Sequence, residues 1–289
     1  MEDFKDLETE LKIEGCSDQT IRTYIYQNQK FLKYLNQNAR GEHQRTLGTD
    51  NKRGVLTVTQ NDVKSYIAYL VSDKKLSRRT INLVLSALTF FYDKMHNLAV
   101  VAGIKRKYPP KKLPHTVTKK EMKSMLDATS KKKHKLLLAL LYGSGLRVSE
   151  TVTLKRNQVH IDERKAIIRS GKGDKDRQVP LSRRFCKMLT SYLKKSRDKN
   201  PYIFNYRDNH LSSRQAQRIV SNAAIRAGLD KPVHCHMLRA SFATELLNSG
   251  VDIITIQTVL GHEDVSTTQV YTAVSKERLE SIRSPGDTL

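Results

Sequence analysis

Apolar residues recur along the first hundred positions at helical spacing. Ser17 can cap a helix on which Ile21, Tyr24, Ile25, Phe31, Leu32 and Leu35 share one face. A second helix is predicted from about Thr59, with Val63, Tyr66, Ile67, Leu70 and Val71 on a stripe, and a third after Ser77, with Ile81, Leu85, Leu88, Tyr92 and Met95. With a short helix around Leu7 and Leu11, these form a small helical bundle. Residues 37–58 are polar and read as a loop.

The pattern changes after Pro114. Thr118 and Glu121 form a capping box that opens a helix with Met122, Met125 and Leu126 inward. An apolar helix over Leu136 to Tyr142 follows and ends at Gly143-Ser144-Gly145. Ala166–Arg169, the Gly, Lys and Asp tip 171–176, and Arg177–Leu181 read as a β-hairpin. Helices are predicted at 183–196, 213–227, 236–248 and 253–260, the last two stopped by Gly250 and Gly261. The fold class is therefore mainly α with a small β-sheet in the second domain. The predicted domains are 1–104, a linker 105–117, and 118–289.

Charge adds a partner to this outline. The 289 residues hold 52 Lys and Arg against 29 Asp and Glu, a net charge of +23. Residues 1–104 carry 15 basic and 12 acidic side chains, 105–120 carry 7 and none, and 121–289 carry 30 and 17. The middle stretch holds three of the seven prolines, which favour an extended chain, and an acid-free segment suits contact with phosphates as well as a solvated tether. A strongly basic folded chain points to a polyanion, usually nucleic acid. The three scattered cysteines argue against a disulfide framework, and no apolar run has the length of a membrane span, so a cytoplasmic protein is expected.

Four features of the second domain could carry chemistry. Arg147 follows Gly143-Ser144-Gly145 at a helix entry, with Glu150 three residues on to orient its guanidinium; an arginine pairing with its own helix is the ordinary alternative. Lys172 sits between Gly171 and Gly173 at the hairpin tip, where most lysines are merely solvated. His236 and Arg239 share a face as a helix opens. His234, Cys235 and His236 lack a second ligand pair at regular spacing, so no metal is expected. His262 follows a helix stop, and Tyr271 a polar turn; singly they would cap and pack.

Taken together these residues resemble the catalytic domain of the tyrosine recombinases, the phage integrase family, and the whole chain resembles a Xer-type member. The resemblance rests on Ser144-Gly145-Leu146-Arg147-Val148-Ser149-Glu150, on Gly171-Lys172-Gly173, on Ser241-Phe242-Ala243-Thr244 through Leu260-Gly261-His262, and on Thr267-Thr268-Gln269-Val270-Tyr271-Thr272. The N-terminal helices look like the family's core-binding domain. Ala240 departs from the pattern where many relatives place a second histidine, at a position outside the essential set.

The resemblance implies a site-specific recombinase in which Tyr271 attacks a DNA phosphodiester to form a 3′-phosphotyrosyl bond. It implies Arg147 and Arg239 as a phosphate clamp, His236 as base, Lys172 as general acid and His262 as a further donor. It implies double-stranded DNA as partner, a homotetramer on two sites, no cofactor, metal or nucleotide, and chromosome dimer resolution as the role. A compact mobile-element integrase, a type IB topoisomerase and a non-catalytic DNA-binding relative are the alternatives.

Overall fold

A computed structural model describes residues 4–38, 57–108, 115–169, 176–195 and 200–261. The chain divides into two compact units, Met1–Pro110 and Lys111–Leu289. Among the described residues no helix is long and apolar enough to cross a membrane.

The first unit is helical. It contains α1 (Lys5–Ile13), α2 (Asp18–Asn38), α3 (Gln60–Ser72) and α4 (Arg78–Leu88), the last running directly into a π-helical stretch, Thr89–Met95. Short polar side chains set the starts, at Ser17 as the sequence predicts and likewise at Thr59 and Ser77. The Oγ1 of Thr59 accepts from the Asp62 amide while the Asp62 carboxylate accepts from the Thr59 amide, and the Ser17 and Ser77 hydroxyls accept from the Thr20 and Thr80 amides. The Phe31 ring lies tilted against Tyr66 with centroids 5.0 Å apart and meets Tyr92 edge-on at 5.7 Å, in a core with Leu7, Leu11, Val63 and Leu85.

Three details of this unit differ from the helical stripes. Val71 is exposed, because the buried face of α3 ends at Leu70. The third helix is not one α-helix to Met95: the π stretch adds a residue to the turn, and Phe91 and Tyr92 are buried within it. Asn28 lies fully buried among apolar residues, its Nδ2 donating to the Tyr24 carbonyl at 2.9 Å and across to the Ala87 carbonyl of α4 at 3.2 Å. The expected loop 37–58 lies mostly outside the described residues, and α2 extends through its first two positions.

The second unit contains α5 (Lys119–Asp127), α6 (Lys132–Ser144), α7 (Val148–Thr153), α8 (Arg183–Lys195), α9 (Ser213–Arg226), α10 (Cys235–Asn248) and α11 (Ile253–Leu260). Two helices run through its core. Leu136 to Leu141 of α6 are buried on every side, and nine of the fourteen residues of α10 are buried, so neither helix is amphipathic and each is surrounded by others. Helix α6 begins four residues before the expected start, on lysines that carry no apolar signal.

Three antiparallel strands, β1 (Val159–His160), β2 (Lys165–Ile168) and β3 (Arg177–Pro180), form a meander with Ala166 opposite Val179 and Ile168 opposite Arg177. The strands of the expected hairpin are thus present; its tip, 170–175, lies outside the described residues. Strand β1 and the two-residue pair β4 (Asn205–Tyr206) and β5 (Asn209–His210) are too short to show a period and were not expected.

The ends of the predicted linker are held. Arg106 donates to the Ser86 hydroxyl at 2.9 Å and the Lys107 carbonyl accepts from Asn82 at 3.2 Å, both on α4. On the other side the Val117 amide donates to the buried Ser241 hydroxyl of α10 at 2.7 Å. Residues 109–114 lie outside the described residues.

Candidate active site

The site forms where α6 ends, α10 begins and α11 stops. Gly143 remains helical, and it is Gly145 that turns the chain, with φ +64°. A Cβ at Gly145 would lie 2.4 Å from Phe242 and 2.8 Å from Leu260, so the absence of a side chain lets the α6 end approach both α10 and α11. This turn delivers Arg147 to the start of α7, where the Glu150 carboxylate accepts from the Arg147 amide at 2.8 Å and from its guanidinium at 2.9 Å. The predicted Arg147–Glu150 pairing is therefore present.

Helix α11 stops at Gly261, also left-handed, and its final carbonyls would lack partners within the helix. Three consecutive carbonyls accept instead from three different arginines. Val259 accepts from Nε of Arg177 at 3.1 Å, Leu260 from Nη2 of Arg239 at 2.8 Å, and Gly261 from Nη2 of Arg147. The negative end of the helix dipole adds to the attraction. Arg239 also spans back to the Gly145 carbonyl at 2.7 Å, which ties the two left-handed turns together through one buried side chain. Arg147 and Arg239, far apart in sequence, are thus fixed on adjoining carbonyls immediately before position 262.

Burial separates their characters. Arg239 is only 3% exposed, while the Arg147 side chain is 41% exposed and can meet a ligand directly. Glu150 is mostly buried; desolvation alone would raise its carboxyl, but hydrogen bonds from Arg177 and from the Arg147 amide outweigh this and hold it below the ordinary carboxylate range. Glu121 behaves likewise, with desolvation opposed by Lys231 and its capping bond to Thr118.

His236 lies exposed in the first turn of α10, one turn before Arg239 and on the same helix, as predicted. Its ring lies nearly parallel to that of His234 at 6.4 Å. Cys235 between them points into the core, and burial pushes its thiol up to about 11, so it is neither a nucleophile nor part of a shared ligand set with the two exposed histidines. Lys172, His262 and Tyr271 lie outside the described residues. Of their surroundings, strands β2 and β3 flank the segment carrying Lys172, and Gly261 precedes His262.

Arg177 was not among the expected site residues. It bridges the Glu150 carboxylate, at 2.7 Å from Nη2, to the α11 carbonyl. A signal was present in the strand: Arg177 has the same parity as buried Val179, so its side chain starts on the inward face of β3, where a charge calls for a partner.

Comparison with known proteins places this arrangement in a family. A profile of the Phage integrase family matches residues 115–278, and a profile of the phage integrase N-terminal SAM-like domain matches residues 4–100. The chain belongs to the phage integrase family, as a Xer-like site-specific tyrosine recombinase. It is 36% identical over 280 residues to tyrosine recombinase XerA of Pyrococcus horikoshii, covering 95% of this chain and 90% of the relative. A crystal structure of XerA recombinase, 29% identical, aligns over 94% of this chain and 93% of that one with a TM-score of 0.54. The fold is also that of XerH recombinase bound to its difH substrate, with a TM-score of 0.68 over 91% of this chain and 79% of that one at 24% identity.

Proposed function

We propose that this recombinase cuts and rejoins double-stranded DNA at paired specific sites, with Tyr271 as nucleophile. The observation that carries the proposal is the placement of Arg147 and Arg239 on the adjoining Gly261 and Leu260 carbonyls, one residue before His262. A guanidinium presents five N–H donors in a rigid fork and keeps its charge at neutral pH. Two of them, held by backbone, suit the non-bridging oxygens of a phosphate that gains negative charge as it becomes five-coordinate.

In this reading the Tyr271 oxygen forms a bond to phosphorus as the bond from phosphorus to the sugar 5′ oxygen breaks. The phenol, with an intrinsic pKa of about 10, passes its proton to His236, whose exposed ring begins the helix that anchors Arg239. Lys172 protonates the departing 5′ oxygen, and His262 donates to the phosphate. The 3′-phosphotyrosyl bond retains the phosphodiester energy, so the reverse attack by a 5′-hydroxyl reseals a strand without ATP or a metal.

The remaining assignments extend the same reading. The basic segment 105–117 links the two units and lies along phosphates, and the net charge of +23 supplies the general attraction to DNA. Exchange between two duplexes uses two protomers at each site, hence a homotetramer on DNA. From the resemblance to Xer-type recombinases, resolution of chromosome dimers in the cytoplasm is the role we assign.

The test is a nicked suicide duplex carrying the recombination site. The wild-type chain should accumulate a covalent protein–DNA adduct stable to denaturant, and Tyr271→Phe should lose it by at least ~10³-fold while still binding the duplex. An adduct formed by Tyr271→Phe would overturn the assignment.

A further inference from the structure

We infer that Arg177 is a positioning residue for the phosphate clamp, holding Arg147 at its working geometry by tying Glu150 to the end of α11. The inference rests on the reading of Arg147 as a phosphate ligand. Arg177 itself is mostly enclosed, and among the described residues its side chain donates to Glu150 and to the Val259 carbonyl, so it acts through its neighbours.

The geometry is a closed ring of contacts. Arg177 donates Nη2 to Glu150 Oε2 at 2.7 Å and Nε to the Val259 carbonyl at 3.1 Å. Glu150 holds Arg147 through Oε1 at 2.9 Å, and Arg147 returns to α11 at the Gly261 carbonyl. Without Arg177, Glu150 keeps one cationic partner and its tie to α11 runs only through Arg147 and the Gly261 carbonyl, so the Glu150–Arg147 pair is held at one point instead of two.

Gly261 adds an independent constraint. A Cβ there would meet Cζ, Nε and Nη1 of Arg177 at 3.0 Å, so the guanidinium lies packed against the turn at the end of α11. Arg177 also opens β3, paired with Ile168 on the strand entering the hairpin tip. One residue of the hairpin strand therefore carries a side chain that joins the acid orienting Arg147 to the helix end before His262. A charge alone could satisfy Glu150, but only a planar fork with an Nε donor can reach both Glu150 and Val259 from one position.

The experiment compares the full chain as wild type, Arg177→Gln, Arg177→Lys, Glu150→Gln and the Glu150→Gln/Arg177→Gln double variant. Single-turnover cleavage of the suicide duplex is measured at saturating protein, with duplex Kd in parallel. Because a displacement of about 1 Å in a clamping group can cost ~10²-fold, each Gln variant should slow cleavage by about 30-fold with Kd within about 3-fold of wild type. The double variant should be about as slow as either single one, since both break the same ring, whereas independent sites would multiply to about 900-fold. Arg177→Lys, which keeps the charge but loses the fork, should recover only in part and stay about 5-fold slower than wild type.

Cleavage by Arg177→Gln within about 3-fold of wild type would overturn the inference, as would multiplied losses in the double variant or a Kd that rises in step with the lost rate. If Arg177→Gln fails to fold, Arg177→Lys decides: a several-fold slower rate at unchanged Kd supports the role, and a wild-type rate removes it. A wild-type chain that forms no adduct would instead sink the reading of the site itself.

Discussion

The N-terminal and C-terminal units close their helices in different ways. In the first, Ser17, Thr59 and Ser77 each accept from an amide three residues ahead, and the cap belongs to the helix it starts. The second uses the same device at Thr118, Ser212 and Asp252. At the end of α11, however, it uses arginines 21, 82 and 114 residues away. A local cap specifies where an element begins; a distant one specifies which elements meet. The polar residue buried in the described core of the first unit is Asn28, a neutral amide that pins α2 to α4, whereas the second buries a guanidinium. A buried cation is tolerated only when its donors are paired, so Arg239 on Gly145 and Leu260 holds the turns in place at a cost that a purely structural core avoids.

Two glycines with similar backbones offer the sharpest way to break this contrast. Gly145, at φ +64°, is enclosed by Phe242 and Leu260, whereas Gly103, at φ +80°, meets nothing nearer than the Gln60 amide nitrogen at 3.9 Å. Gly145→Ala should destabilise its unit by about 3 kcal/mol, combining left-handed strain with overpacking, while Gly103→Ala should cost only the backbone share of about 1 kcal/mol. Native-state hydrogen exchange in the helices of each unit would measure both. Equal effects would mean that close approach at the α6–α11 junction is not under constraint.

Removing a local cap should matter less than disturbing that junction. Thr59→Ala should cost about 1 kcal/mol, read from faster exchange in the first turns of α3. The smallest effect is electrostatic. Glu150 has a folded pKa below its unfolded value of about 4.5, so between the two the unfolded chain binds more protons; its contribution is present above about pH 4.5 and is lost as pH falls through the folded value. Glu150→Gln should therefore flatten the loss of stability below about pH 4.5, measured by urea unfolding across that range.

Much of the fold was legible because its signals are local. Helix starts at Thr59, Ser77 and Thr118, the stops at Gly145 and Gly261, and the two strands around the hairpin all depend on residues within a few positions of the event. Where the reading failed, the cause was equally specific. The π-helical stretch at Thr89–Met95 changes the period inside an apolar run, and two-residue strands have no period to detect. Val71 fitted the stripe of α3 but lies beyond the end of its buried face.

At the site, the residue types at Arg147, His236 and Arg239 and the pairing of Arg147 with Glu150 follow from motif and helical spacing. Those spacings are set by covalent geometry and are the same whatever the rest of the chain does. The convergence on α11 is not: that Val259, Leu260 and Gly261 would each take a different arginine depends on how α6, α7, β3 and α10 pack, and no short stretch of sequence encodes it. Arg177 marks the boundary between the two. Its inward parity on β3 was written in the sequence, but its two partners were chosen only when the tertiary structure brought the Glu150 carboxylate and an unfinished helix end within reach of one guanidinium.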